Sequence, residues 1–230
     1  LIAKSFHNGV EKVMVYEYGS SNKKILLSHG WSGRGTQLFK IAEELLKAGY
    51  STVSFDAPAH GKSPGKTSIM SEFVAATLEI EKQFGPFEAA VGHSLGGMSL
   101  LKSTKNGLAI KRLAIIGSGD IVQHILNNFM VKLELKPSLS IQLRIHFEKK
   151  YKVEMDDYSA YKSAKEISIP VLVIHDKNDH EVPVEAGINI HKHLKNGELM
   201  LTEGLGHRKI LGDLTVIRKV VEFIQVDNPL

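Results

Sequence analysis

The 230-residue sequence contains no cysteine. That removes disulfides, a thiolate nucleophile and any Cys-based zinc or iron–sulfur site. No apolar stretch approaches the roughly 20 residues needed to span a bilayer, and no signal peptide is visible. A cytoplasmic chain without a membrane span is therefore expected. Net charge is small: 29 Lys and Arg stand against 25 Asp and Glu, a formal +4. Basic residues such as Lys4, Lys62, Lys111, Lys149 and Lys150 are scattered along the chain. A nucleic-acid partner calls for a concentrated basic face, so none is expected. Repeats and low-complexity segments are absent as well.

Hydrophobic residues make up 43% and charged residues 23%, the balance of a globular domain. A chain of this length buries about 70% of its unfolded surface, enough for a core that needs no staples. Short apolar runs recur at 24–28, 51–55, 89–92, 113–116, 171–174 and 199–201. Several are almost continuously apolar, the mark of parallel strands covered on both faces. The segment 12–18 alternates like an edge strand, and 2–6 can pair with it through a turn at Asn8-Gly9. Between the runs lie helical stripes. Leu38, Ile41, Leu45 and Ala48 form one, with Gly49 as a stop; Ile69, Phe73, Ala76 and Ile80 form another, ended by Gly85-Pro86. Leu214, Ile217, Val221 and Ile224 form the last, with Asp213 as N-cap. This alternation predicts an α/β protein with a mostly parallel sheet.

The alternation breaks between Ile121 and Glu166. Only helical and mixed patterns occur there, such as Ile125, Phe129, Leu133 and Leu143, Phe147, Tyr151. We read 121–166 as a helical insertion, with 1–120 and 167–230 forming the core. The plainer alternative is one long helical crossover without a role of its own.

The segment Gly92-His93-Ser94-Leu95-Gly96-Gly97 follows an apolar run and precedes a helical one. That is the strand–turn–helix setting of a nucleophile elbow. A serine raised on so sharp a turn needs neighbours without side chains, which Gly92 and Gly96 supply. Serine also needs a base. His207, in Gly204-Leu205-Gly206-His207, is placed on a loop after the last strand, though with 11 histidines in the chain its type alone decides nothing. A carboxylate should orient the imidazole. Asp179 holds the favoured loop position after the 171–174 strand; Asp176 reads as a turn residue, and Asp120 is a second alternative. Backbone donors for an oxyanion are expected at Trp31, in His29-Gly30-Trp31-Ser32-Gly33, and at Leu95. Trp31, Met98, Phe129 and Phe147 are candidates for an apolar substrate pocket, with Met130, Leu133, Tyr151, Tyr158 and Tyr161 as further cap residues. No metal site is expected: the rings of His191 and His193, two apart on a helix, diverge.

The order Ser94, Asp179, His207, the elbow, the His-Gly-Trp segment and Phe55-Asp56-Ala57-Pro58-Ala59-His60-Gly61-Lys62-Ser63 together resemble the α/β-hydrolase fold superfamily. Among its members the chain is most similar to compact serine hydrolases: monoacylglycerol lipases, serine aminopeptidases and bacterial esterases. The resemblance runs from Lys12 to the last helix. It implies a mostly parallel central sheet with helices on both faces, a small helical cap, a Ser94–His207–Asp179 triad and no cofactor. It also implies that Asp56 and His60 are structural turn residues. A serine at the elbow departs from the aspartate of the dehalogenases and epoxide hydrolases of this fold. The start of the sheet reads as short, with room for a missing edge strand, and the insertion matches no cap we can assign. The implied activity is hydrolysis of a small-molecule acyl ester or thioester. Acyl transfer, C–C bond hydrolysis on the same triad, and a non-catalytic binding role stand beside it. Oligomeric state is left open.

Overall fold

The computed structural model describes residues 2–7 and 12–225. These residues form one eight-stranded sheet: β1 (Ile2–His7), β2 (Lys12–Tyr18), β3 (Lys24–Ser28), β4 (Ser51–Asp56), β5 (Ala89–His93), β6 (Arg112–Ile116), β7 (Val171–Asp176) and β8 (Gly197–Thr202). The spatial order is β1-β2-β4-β3-β5-β6-β7-β8. Strands β3 to β8 run parallel, while β2 is antiparallel to both β1 and β4. The edge expected to be short is thus supplied by β1 and β2; the turn at Asn8-Gly9 lies outside the described residues.

Side-chain alternation divides the core into two layers. Ile25, Leu27, Val91, Ala114, Ile116 and Ile174 face one side. They meet α1 (Phe39–Lys47) and α9 (Leu214–Gln225) through Ile41, Leu45, Ile217 and Val220. Leu26, Val53, Phe55, Leu113, Ile115 and Val173 face the other. There they meet α2 (Met70–Phe84), α3 (Leu95–Lys105) and α7 (Val184–His193) through Phe73, Ile80, Leu100 and Ile190. Helix ends follow the sequence signals. Gly49 has φ +85° after α1, and the Tyr50 amide returns to the Leu45 carbonyl while that of Gly49 returns to Leu46. The Asp213 carboxylate accepts the Thr215 and Val216 amides at the start of α9.

The 121–166 segment holds α4 (Val122–Lys132), α5 (Ser138–Tyr151), a 3-10 turn at Met155–Tyr158 and α6 (Ala160–Glu166). Its last helix does not stand apart. Ala160, Ser163 and Ala164 are buried, and α6 packs against α3 and α7 as the crossover helix between β6 and β7. The boundary expected at 166 therefore cuts through the core layer; the segment outside that layer ends near Tyr158. Periodicity shows a helix, not the layer it joins.

Asp56 holds the sheet end together. Fully buried, its carboxylate accepts the Tyr16 hydroxyl at 2.7 Å and the amides of Gly35 and Lys62 at 2.6 and 2.7 Å. Burial, then the bond to Asp56, pushes the Tyr16 phenol up to about 12. Asp56→Ala strands three donors and is expected to cost about 3 kcal/mol in urea denaturation, with Asp56→Asn costing less because one acceptor oxygen remains.

Candidate active site

Ser94 sits between β5 and α3 with φ +52° and ψ −121°, a region that ordinary residues avoid. Its amide donates to the Ile116 carbonyl at 2.9 Å, tying the turn to β6. Glycine is a steric necessity around it. A Cβ on Gly92 would lie 2.7 Å from the Gly97 backbone, and one on Gly96 would overlap the carbonyl oxygens of Ser28 and His29. A Cβ on Gly30 would come 2.9 Å from Cβ of Ser94, so the loop after β3 presses on the serine. The Gly30 amide is spent on Oε1 of Gln37. The Trp31 amide has no acceptor among the described residues, and the Leu95 amide is a first-turn donor of α3 without an intrahelical partner.

His207 stands in a one-turn helix, α8 (Gly206–Lys209), where a loop was expected. Its Nδ1–H donates to Oδ2 of Asp179 at 2.6 Å, and both side chains are buried. Oδ1 of Asp179 accepts the amides of Glu181 and Val182. Burial works to raise this carboxyl, but hydrogen bonds from His175, His207 and the Val182 amide hold it well below the usual carboxylate range. The competing acids are engaged elsewhere. Asp176 accepts Thr202 Oγ1 and the Asn178 and Leu205 amides; Asp120 accepts Asn189 Nδ2 and the Ile121 amide. Gly117, at φ +59° after β6, leaves space that a Cβ would take 3.2 Å from Nδ1 of His207.

Three buried histidines brace these groups and escaped the sequence reading as functional residues. His93 donates from Nε2 to the backbone carbonyl of His207 at 2.9 Å, so the strand before the serine holds the loop of the base. His29 donates from Nδ1 to the Gly30 carbonyl and accepts the Ala57 amide on Nε2, which links the ends of β3 and β4. Burial lowers His29 to about 4 and His93 to about 3. His175 is fully buried with Nε2 directed at the Val182 carbonyl (3.0 Å) and Oδ2 of Asp179 (3.5 Å). The only sequence signal for His93 was its place inside the elbow, where the motif accepts any residue.

A cavity of about 530 Å³ opens beside the elbow. Trp31, Leu95 and Met98 line it from the core, and Phe147, Tyr151 and Tyr158 from the inserted segment. Phe129 lies outside it. It lines a second cavity of about 410 Å³ between α4, α7 and the loop at 181–183. Leu133 is exposed, Met130 is buried in the segment itself, and Tyr161 packs on the His193 ring. His191 and His193 each face a separate carbonyl, and the described residues hold no group of three or more metal-ligating side chains.

A family profile described as the alpha/beta hydrolase family matches residues 25–140, and one described as TAP-like protein matches 149–226. No curated protein matches the chain in sequence. Solved structures share the fold at low identity. Est1E from Butyrivibrio proteoclasticus with ferulic acid bound is 18% identical, with TM-score 0.74 over 96% of this chain and 99% of that one. The monoacylglycerol lipase of Paleococcus ferrophilus is 21% identical, with TM-score 0.75 over 92% and 98%. Mouse alpha/beta hydrolase domain-containing protein 10 is 15% identical, with TM-score 0.76 over 96% of each chain.

The buried histidines set the acid response. An unfolded histidine binds a proton near pH 6.5, whereas His29 and His93 bind theirs only near 4 and 3. The unfolded chain thus takes up more protons below pH 6.5, and stability falls as pH drops from there through those values. Asp179 adds stability above an unfolded value of about 3.9 that is lost below it. In denaturant titrations at pH 7 and pH 4.5, His93→Gln is expected to shrink the acid-side loss by about 2 kcal/mol.

Proposed function

The chain belongs to the alpha/beta hydrolase family, and from that premise we propose that it is a serine hydrolase acting on acyl esters or thioesters. The observation that carries the proposal is the 2.6 Å bond from Nδ1 of His207 to buried Asp179, beside a serine held at positive φ. That bond fixes Nδ1 as the protonated nitrogen and leaves Nε2 free to act as a base. Ser94 Oγ attacks the carbonyl carbon while Nε2 of His207 takes its proton. Asp179, held ionised, stabilises the imidazolium without receiving the proton. The amides of Trp31 and Leu95 receive the oxyanion, each worth about 3 kcal/mol of barrier. His207 then protonates the leaving group, and in a second round it activates a water that releases the acid from Ser94.

The apolar cavity supports a small or medium acyl group, with Trp31, Met98 and Phe147 against it. Among the fold relatives, one holds ferulic acid and another is a monoacylglycerol lipase, which suits a carboxylic ester. In this reading residues 121–158 are the cap that roofs the cavity.

A fluorophosphonate probe should label the protein at pH 7–8, and Ser94→Ala should abolish labelling. With a panel of p-nitrophenyl esters and acyl-CoA thioesters of graded length, Ser94→Ala should lower kcat/KM by about 10⁴-fold or more and Asp179→Asn by about 10³ to 10⁴-fold. Asp120→Asn should change it by less than about tenfold, since its carboxylate serves Asn189. Labelling that persists in Ser94→Ala overturns the assignment.

A further inference from the structure

The described residues expose 14 large hydrophobic side chains, and eight of them fall between Ile125 and Ile145. Ordinary surfaces scatter such residues singly. Here Ile125 and Phe129 line cavities, and the other six run along the outside from the end of α4 into α5. Val131 is 64% exposed and Leu133 50%, with Leu135 beyond them on the connecting turn and Leu139 in the first turn of α5. On α5, Ile141 and Ile145 follow at a spacing of four along the solvent side, and exposed Lys149 continues the same line.

Charge gathers in the same place. From Val131 to Lys152 the basic residues are Lys132, Lys136, Arg144, Lys149, Lys150 and Lys152, against Glu134 and Glu148 alone. The excess of six over two equals the +4 of the whole chain, so the remainder is balanced. Of the six, Lys136, Lys149 and Lys152 are exposed alongside the aliphatic side chains, whereas Lys132 reaches the Glu181 carbonyl, Arg144 pairs with Glu148, and Lys150 lies over the Tyr151 ring at the cavity. Aliphatic groups that can enter the headgroup boundary, bordered by ammonium groups that reach phosphates, suit an anionic bilayer. A second copy of this chain would bring two hairpins of the same sign together, which disfavours self-association through this face.

We propose that the outer face of the α4–α5 hairpin docks on an anionic lipid surface. The inner face of α5 carries Phe147 and Tyr151 into the cavity wall. Docking therefore sets the far side of that wall against the bilayer, one helix away from the cavity that would receive a lipid-soluble ester; that last consequence alone rests on the hydrolase reading.

The test measures partitioning and needs no turnover. The intact chain is sedimented with phosphatidylcholine vesicles with and without about 30% phosphatidylglycerol. It should pellet with the anionic vesicles only, and raised salt should weaken this. Each lysine near such a surface is worth about fivefold, so Lys136→Gln with Lys149→Gln should weaken partitioning by about twenty-fold. Leu133→Ser with Leu135→Ser should weaken it by at least about tenfold. Both double variants should melt within a few degrees of the parent, which separates loss of docking from loss of fold. Equal binding to both vesicle types, no binding to either, or binding that neither variant weakens overturns the proposal. So does a concentration-dependent dimer abolished by the leucine variant in the absence of lipid binding.

Discussion

A helix start pressed onto a strand end, with no side chain between them, is the constraint on which the rest of the site depends. Gly92, Gly96 and Gly97 allow α3 to begin directly against β5 and the end of β3. Because the backbone must turn within one residue, Ser94 is forced to positive φ and projects from the sheet. The same closeness aims the first amides of α3 at the space in front of the serine. Strain recurs in the neighbouring loops: Ser32 after β3 and Ala59 after β4 also have positive φ, and both line the cavity. Three adjacent strand ends thus hold unfavourable backbone that the layered core on either side keeps in place.

Around this turn the charges are few and placed. Asp179 is ionised, while His29 and His93 are held neutral by burial. The neutral rings act as spacers with one donor each, directed at backbone carbonyls. Asp176, also held below the usual carboxylate range, spends its oxygens on Thr202 and on the amides of Asn178 and Leu205. Asp179 is thus the carboxylate left to face His207.

The strands and both helical layers were legible because apolar periodicity directly reports which faces are buried. The elbow was legible because its glycines answer to sterics within six residues. Asp179 was preferred over Asp176 and Asp120 on loop position, and it is Asp179 that meets His207. What stayed hidden depends on contacts between distant segments. Nothing local distinguishes His93 from the other histidines, since its partner is 114 residues away. The helical pattern of α6 is the same whether it roofs a pocket or packs in the core. Phe129 and Phe147 read alike until the fold places one, on α4, in the cavity beside α7 and the other, on α5, in the cavity beside the elbow. Local helix signals likewise could not place His207 in a turn of helix, because α8 spans only four residues.

The bond from His93 to the carbonyl of His207 has a bearing on synthesis. It joins the strand that carries the serine to a segment 114 residues further along the chain. While the chain is emerging, the residues of the elbow leave the ribosome well before those of β7, β8 and α8. The brace that His93 offers therefore waits for a carbonyl that arrives only later. The site is thus assembled from an early half and a late half, and its geometry is complete only when the later one has joined the sheet.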